Sequence, residues 1–209
     1  MGKMKKLPQG LGPVLIFAAT LLIALGLGIG IRYLLTGSGS GGGISAPVTI
    51  GGPFTLSHPS GKEVTDKTYL GKYLLVYFGY TYCPDVCPTS LGTMAEALGK
   101  IGKDKAAKIK PIFISVDPER DTKERLADYG EAFYPGMDAL TGTPEQVLAA
   151  AKQYRVYFAR VKAEDAEVGY LIDHSALLYL MGPDGKFIRH FSHGTQAAEM
   201  AAALEESVK

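Results

Sequence analysis

The sequence predicts an α/β domain, a mixed sheet with helices on both faces, carried behind one N-terminal transmembrane helix. Three observations carry this prediction. Residues 11–31 contain no charged side chain and one polar one, Thr20. After residue 43, short apolar runs of strand type alternate with stretches of helical periodicity, the order that builds a sheet flanked by helices. Near the C-terminus, two strand-like runs flank Pro183-Asp184-Gly185, a hairpin signal that adds an antiparallel pair.

The elements follow in chain order. Residues 11–31 at about 1.5 Å each reach roughly 30 Å, the thickness of a bilayer's hydrocarbon core. The run is longer than a signal-peptide apolar region and no A-x-A-like site follows it, so an uncleaved anchor is expected over 11–35. Lys3, Lys5 and Lys6 precede it, and only Arg32 follows before Lys62. That asymmetry keeps residues 1–10 in the cytoplasm and sends the body across. So short a leader does not suit a transit peptide, so the expected setting is a bacterial inner membrane with the body in the periplasm. Gly26 and Gly30 form a G-x-x-x-G, a weak helix-packing signal in a span this rich in glycine. Residues 36–46, beginning TGSGSGGG, read as a flexible Gly/Ser linker.

Residues 47–209 make one domain. Tyr73–Phe78 and Pro111–Val116 are continuous apolar runs that suit buried strands. From Pro88, apolar residues recur at helical spacing (Leu91, Met94, Leu98, Ile101). A helix is expected over Thr122–Phe133 with Asp121 as its N-cap, and another from Pro144 to about Tyr154 behind Thr143. Arg155–Val161, Leu177–Met181 and Lys186–Phe191 read as strands, and Thr195–Val208 as a closing amphipathic helix.

Composition narrows the function. The chain has 209 residues and 46% hydrophobic ones, enough for a real core. A net charge of +1 with 21% charged residues argues against a nucleic-acid binder. All 21 acidic residues and 18 of the 22 basic ones lie after residue 43, which leaves the body mildly acidic. Two cysteines exclude a disulfide-dense scaffold and an all-cysteine zinc or iron–sulfur site within one chain.

Both cysteines fall in Cys83-Pro84-Asp85-Val86-Cys87-Pro88, between the first buried strand and the next helix. Spaced by four, their sulfurs share one face if the first helical turn includes both. A helix N-terminus favours thiolate. Three readings compete: an inert disulfide, dithiol–disulfide chemistry, and a soft-metal site. So short a loop gains little from closure, and thioredoxin-type enzymes use C-x-x-C. Thiolates select Cu(I) and zinc-like metals, an imidazole third ligand suits copper, and a structural zinc wants four protein ligands. Four histidines are available. His58 reads as a solvated loop residue in a polar, hairpin-like segment. His190 and His193 read as solvent-exposed at the end of the last strand. His174 precedes the Leu177–Met181 strand and stands slightly ahead, because the neighbouring Asp173 offers to orient it. Asp117 reads as a loop or capping carboxylate, with a role in positioning the metal loop as the alternative. Asp85 reads as a charge favourable to a helix start. Lys162–Glu167 reads as a solvated charged loop.

The body resembles the Sco/SenC family of copper-handling proteins. The resemblance rests on Gly52–Leu56, Gly71–Thr81, Cys83–Pro88, Ser115–Thr122, and Asp173-His174-Ser175 leading into Tyr179-Leu180, five stretches in order across nearly all of 47–209. It implies a thioredoxin-like fold and a copper site of two cysteines and one distant histidine. Those roles fall on Cys83, Cys87 and His174, holding one copper per chain as Cu(I) or Cu(II). It also implies cytochrome c oxidase subunit II as partner, whose binuclear copper centre the family helps assemble. A periplasmic copper carrier or a thiol reductase would be a further partner. Many relatives carry histidine where this chain has Tyr82, which removes an extra ligand and none of the three. A membrane-tethered copper chaperone, a binding protein and not an enzyme, is therefore expected. The alternative is a thiol–disulfide oxidoreductase acting on that subunit's cysteines through Cys83 and Cys87. A peroxiredoxin-type peroxidase fails, since P-x-x-x-T-x-x-C finds Tyr80 and Val76 before Cys83, and Pro84 and Tyr80 before Cys87.

Overall fold

The computed structural model describes residues 11–36, 49–162 and 169–209, with the side chains of its first helix described over 18–32. The expected cytoplasmic tail 1–10, the linker beyond Thr36 and most of the charged loop at 162–167 lie outside the described residues. The chain divides into two units, 1–48 and 49–209.

In the first unit, helix α1 runs over Leu11–Thr36. Its described large side chains, Leu21, Leu22, Ile23, Leu25, Leu27, Ile29 and Ile31, are all more than half exposed. Among the described residues no helix is long and apolar enough to cross a membrane.

The second unit opens with an antiparallel pair, β1 (Thr55–Ser57) and β2 (Glu63–Thr65), then a 3-10 turn at Asp66–Tyr69. There follow β3 (Tyr73–Gly79), α2 (Val86–Lys100), the short α3 (Lys103–Ala106), β4 (Ile109–Ser115), α4 (Lys123–Phe133), β5 (Asp138–Leu140) and α5 (Pro144–Gln153). The chain closes with β6 (Phe158–Lys162), β7 (Tyr170–His174), β8 (Leu177–Met181), β9 (Phe187–Ser192) and α6 (Ala197–Ser207). The main sheet has the order β5-β4-β3-β8-β9. Strands β3, β4 and β5 are parallel, and β8 and β9 run against them. It is the thioredoxin-like mixed sheet flanked by helices. Central β3 is covered on both faces, which is why YLLVYF reads as a continuous apolar run. Leu75, Tyr77, Phe78, Phe113 and Leu180 are fully buried around it. Helix α2 packs on α6 and α4. Strands β6 and β7 form a separate two-stranded ribbon.

Two expectations are corrected. The helix before β5 starts at Lys123 with Thr122 as its N-cap, whose hydroxyl accepts from the Arg125 amide at 3.3 Å. Asp121 is drawn inside instead, where it accepts from the Ser115 and Thr81 hydroxyls, each at 2.6 Å. The strand expected from Arg155 begins at Phe158, because Arg155 is left-handed (φ 57°) and ends α5. There the Val156 amide bonds back to the Ala151 carbonyl at 2.9 Å, a Schellman-type turn that usually takes glycine. Strands β5 and β7, both short and of mixed burial, have no clear pattern in the sequence.

Candidate metal centre

Helix α2 begins at Val86, so Cys87 is its second residue and Cys83 lies in the loop before it. The two cysteines do not share a helical turn, as the spacing suggested. Pro84 biases Cys83 away from helical backbone, which keeps it outside. The sulfurs meet by a different route: the Cys87 amide, free at the helix start, donates to Cys83 Sγ at 3.3 Å. A first-turn amide is thus spent on a sulfur, and the positive end of the helix faces it.

His174 ends β7, and its Nε2 lies 3.3 Å from Cys87 Sγ. The ligand atoms of Cys83, Cys87 and His174 all lie within 4.8 Å of one another. Among the described residues this is the group of three that could hold a metal ion. Tyr77 and Tyr80 set the imidazole plane, each ring meeting it edge-on at 5.9 and 6.0 Å. Asp173, expected to orient this ring, is exposed, since successive strand residues point to opposite faces. The nearest other partner of the ring is the Ser175 carbonyl, 3.4 Å from Nδ1.

The electrostatics split the pair. Cys83 is pushed down to about 4, first because Cys87 donates its thiol proton to it, then through His174 and the Cys87 and Asp85 amides. Cys87 is pushed up, by that same bond and by burial. Cys83 is therefore the readier thiolate of the pair, and both cysteines are unbridged. Cys87 is wholly buried and Cys83 nearly so, while His174 is half-buried. A ligand exchanging onto a bound metal would approach from the side of His174, the most exposed of the three.

The other singled-out residues fall elsewhere. His58 is half-buried, not solvated, with Nε2 3.6 Å from Asp138. His190 is exposed and stacks on Phe187. His193 is exposed, with Nδ1 3.1 Å from Ser90 Oγ. Asp85 holds the N-cap position without a side-chain cap bond, and its carboxylate takes the Thr89 hydroxyl at 3.1 Å. Asp117 is fully buried and accepts from Arg120 Nε at 2.5 Å and the Tyr170 hydroxyl at 2.8 Å. Sequence reasoning missed Gly79, Tyr77, Tyr80 and Arg120. Gly79 has a signal: it ends a buried strand whose other members are all large, and a Cβ there would stand 2.7 Å from Cys87 Sγ.

The SCO1/SenC family model matches residues 43–209. The chain belongs to the SCO1/SenC family. Human "Protein SCO1 homolog, mitochondrial" is 44% identical over 156 residues, which are 74% of this chain and 52% of that protein. The chain thus spans about half the length of the first curated relatives it matches. Bradyrhizobium japonicum ScoI, solved with copper bound, is 46% identical, with a TM-score of 0.68 over 76% of this chain and 99% of that one. BsSco, described as having a disulfide switch and as a member of the Sco family of cytochrome c oxidase assembly proteins, is 26% identical, with a TM-score of 0.58 over 79% and 99%. The donor set fits what the family's solved members hold, since two sulfurs and one imidazole suit copper in either oxidation state.

Proposed function

We propose that the protein is a membrane-tethered copper chaperone that receives copper on Cys83, Cys87 and His174 and delivers it to the binuclear centre of cytochrome c oxidase subunit II. The carrying observation is the convergence of three ligand atoms within 4.8 Å in a chain of this family. Copper is cargo here. The Cys83 thiolate offers a ready first ligand, and Cys87 gives up its proton as the metal seats, which makes uptake release protons. Burial of Cys87 keeps the metal from solvent. The half-buried side at His174 lets a partner's ligand enter before the chaperone's own leave.

The tether is the apolar run at 11–35, with residues 1–10 in the cytoplasm and 44–209 in the periplasm of a bacterial inner membrane. The uncharged run at 11–31, the lysines before it and the exposed apolar side chains of 18–32 support it. Fusions of a periplasm-active reporter after Gly43 should be active; activity only for a cytoplasmic reporter would overturn the topology.

A second reading has its own observation, the lowered Cys83 thiol beside an unbridged Cys87. The Cys83 thiolate would attack a partner disulfide and release one partner thiolate. Cys87 would then resolve the mixed bond, leaving the partner reduced and Cys83–Cys87 oxidised. His174 separates the two: Cu(II) transfer needs it and disulfide exchange does not. Comparing His174→Ala in metal transfer and in reduction of a disulfide-bonded subunit II peptide tests which activity the site serves.

A further inference from the structure

Five side chains beside the metal centre stack in one alternating row. The Arg125 guanidinium carbon lies 4.0 Å from the Tyr82 ring centroid, Arg120 lies 4.9 Å from Tyr82 and 3.5 Å from Tyr170, and Arg160 lies 4.7 Å from Tyr170. The row joins two parts of the site. Tyr82 is the residue before Cys83, and Tyr170 opens the strand that ends at His174.

The main sheet leaves the histidine's place open. Among the described residues β7 pairs with β6 and with no strand of the five-stranded sheet, and a two-stranded ribbon alone is marginal. The short link from His174 to β8 fixes where the ribbon ends. Its rotation over the cysteine loop is left to side chains. Two contacts do this work at the ribbon's β7 edge. The Ile172 amide donates to the Tyr80 hydroxyl at 3.2 Å. Arg120 holds the other end, since its Nη1 donates to the Tyr170 carbonyl at 2.9 Å while its plane lies on the Tyr170 ring. Arg120 is itself pinned by Asp117, whose buried carboxylate needs a charged partner and also takes the Tyr170 hydroxyl at 2.8 Å.

Resting on the copper reading of the site, we propose that Arg120 is a positioning residue of the metal centre: sandwiched between Tyr82 and Tyr170, it sets how closely His174 approaches the two sulfurs. It acts through the imidazole, so its influence falls on the metal state that needs nitrogen. Cu(I) is held by the two soft sulfurs without it, whereas Cu(II) depends on the imidazole. A lysine does not replace it, because the stack requires a flat guanidinium.

The test uses the full chain with Arg120→Gln, Arg120→Lys, Tyr170→Leu, His174→Ala and the Arg120→Gln/His174→Ala double variant. Affinities for Cu(I) and Cu(II) are measured by competition, and the nitrogen hyperfine coupling of the Cu(II) form by electron paramagnetic resonance. Arg120→Gln and Arg120→Lys should each lower Cu(II) affinity about tenfold, at the low end for groups that orient a metal ligand. They should weaken the nitrogen coupling and leave Cu(I) affinity unchanged. In the double variant the loss should equal that of His174→Ala alone, the non-additivity expected of residues acting as a unit. Tyr170→Leu removes the stack while keeping the Asp117–Arg120 pair, and reports the same quantity if Arg120→Gln does not fold. Parental nitrogen coupling in the Arg120 and Tyr170 variants, or additive losses in the double variant, overturns the positioning role with the copper reading intact. A parent chain that takes up no copper overturns the copper reading and this inference with it.

Discussion

Gly79→Ala is the smallest change that reaches the metal centre through the core. Gly79 ends β3 with ordinary backbone, so its need for glycine is one of space. An alanine methyl would stand 2.7 Å from Cys87 Sγ and 3.0 Å from carbons of Phe113 and Tyr77, where relaxed carbon contacts are about 3.5–4.0 Å. Cys87, Phe113 and Tyr77 are all fully buried, so none can swing into solvent. The sulfur must therefore shift by about 1 Å from the position in which it meets Cys83 and His174. Overpacking of this kind costs about 1–3 kcal/mol, and in a domain this size each kcal/mol lowers Tm by about 2–4 °C. Displacing one of three ligands should weaken Cu(I) binding by at least about tenfold. Thermal unfolding of the apo form and Cu(I) competition titration measure the two effects. Gly92→Ala, on the exposed face of α2 with no atom within 4 Å of the added methyl, is the control and should gain about 0.5–1 kcal/mol. A Gly79→Ala protein with parental Tm and parental Cu(I) affinity would refute the packing argument.

Further expectations follow from caps and charges. The Cys83 thiol titrates near 9.0 when unfolded and at about 4 in the fold. The unfolded chain therefore binds more protons in that window, and the contribution of Cys83 grows as pH rises from 4 and is lost as pH falls through 4. The stability deficit of apo Cys83→Ser, measured by denaturant titration, should widen across that window, and a deficit flat with pH contradicts the thiolate assignment. Arg155→Gly relieves a left-handed residue at the end of α5 and should stabilise by up to about 1 kcal/mol in urea unfolding. Thr143→Ala removes a capping box in which Thr143 Oγ1 takes the Gln146 amide at 3.3 Å, and should cost about 1 kcal/mol in the same assay.

The legible parts of the fold were those that local chemistry dictates. Strands β3 and β4 announce themselves as apolar runs because both faces are covered, and α5 through Thr143 and Pro144. The cysteines stand out by type and spacing. What brings them together differs from what the spacing suggests, since Pro84 keeps Cys83 off the helix and a backbone amide joins them instead. His174 is marked out by family resemblance, because β7 is five residues of mixed burial and the ring it brings to the sulfurs packs on Tyr77 and Tyr80, distant in sequence. Asp121 follows the same logic. Its position suggests a cap, but the hydroxyls of Thr81 and Ser115 outcompete the helix start for its carboxylate. Such long-range partners leave no periodic trace.

The central claim is that Cys83, Cys87 and His174 hold one copper. Its most direct test is metal stoichiometry and free-thiol count measured together on the full chain and on Cys83→Ser/Cys87→Ser and His174→Ala. The account predicts one tightly bound copper per parent chain with both thiols masked, none in the double cysteine variant, and Cu(I) retained but Cu(II) weakened in His174→Ala. Full copper in the double cysteine variant would contradict it.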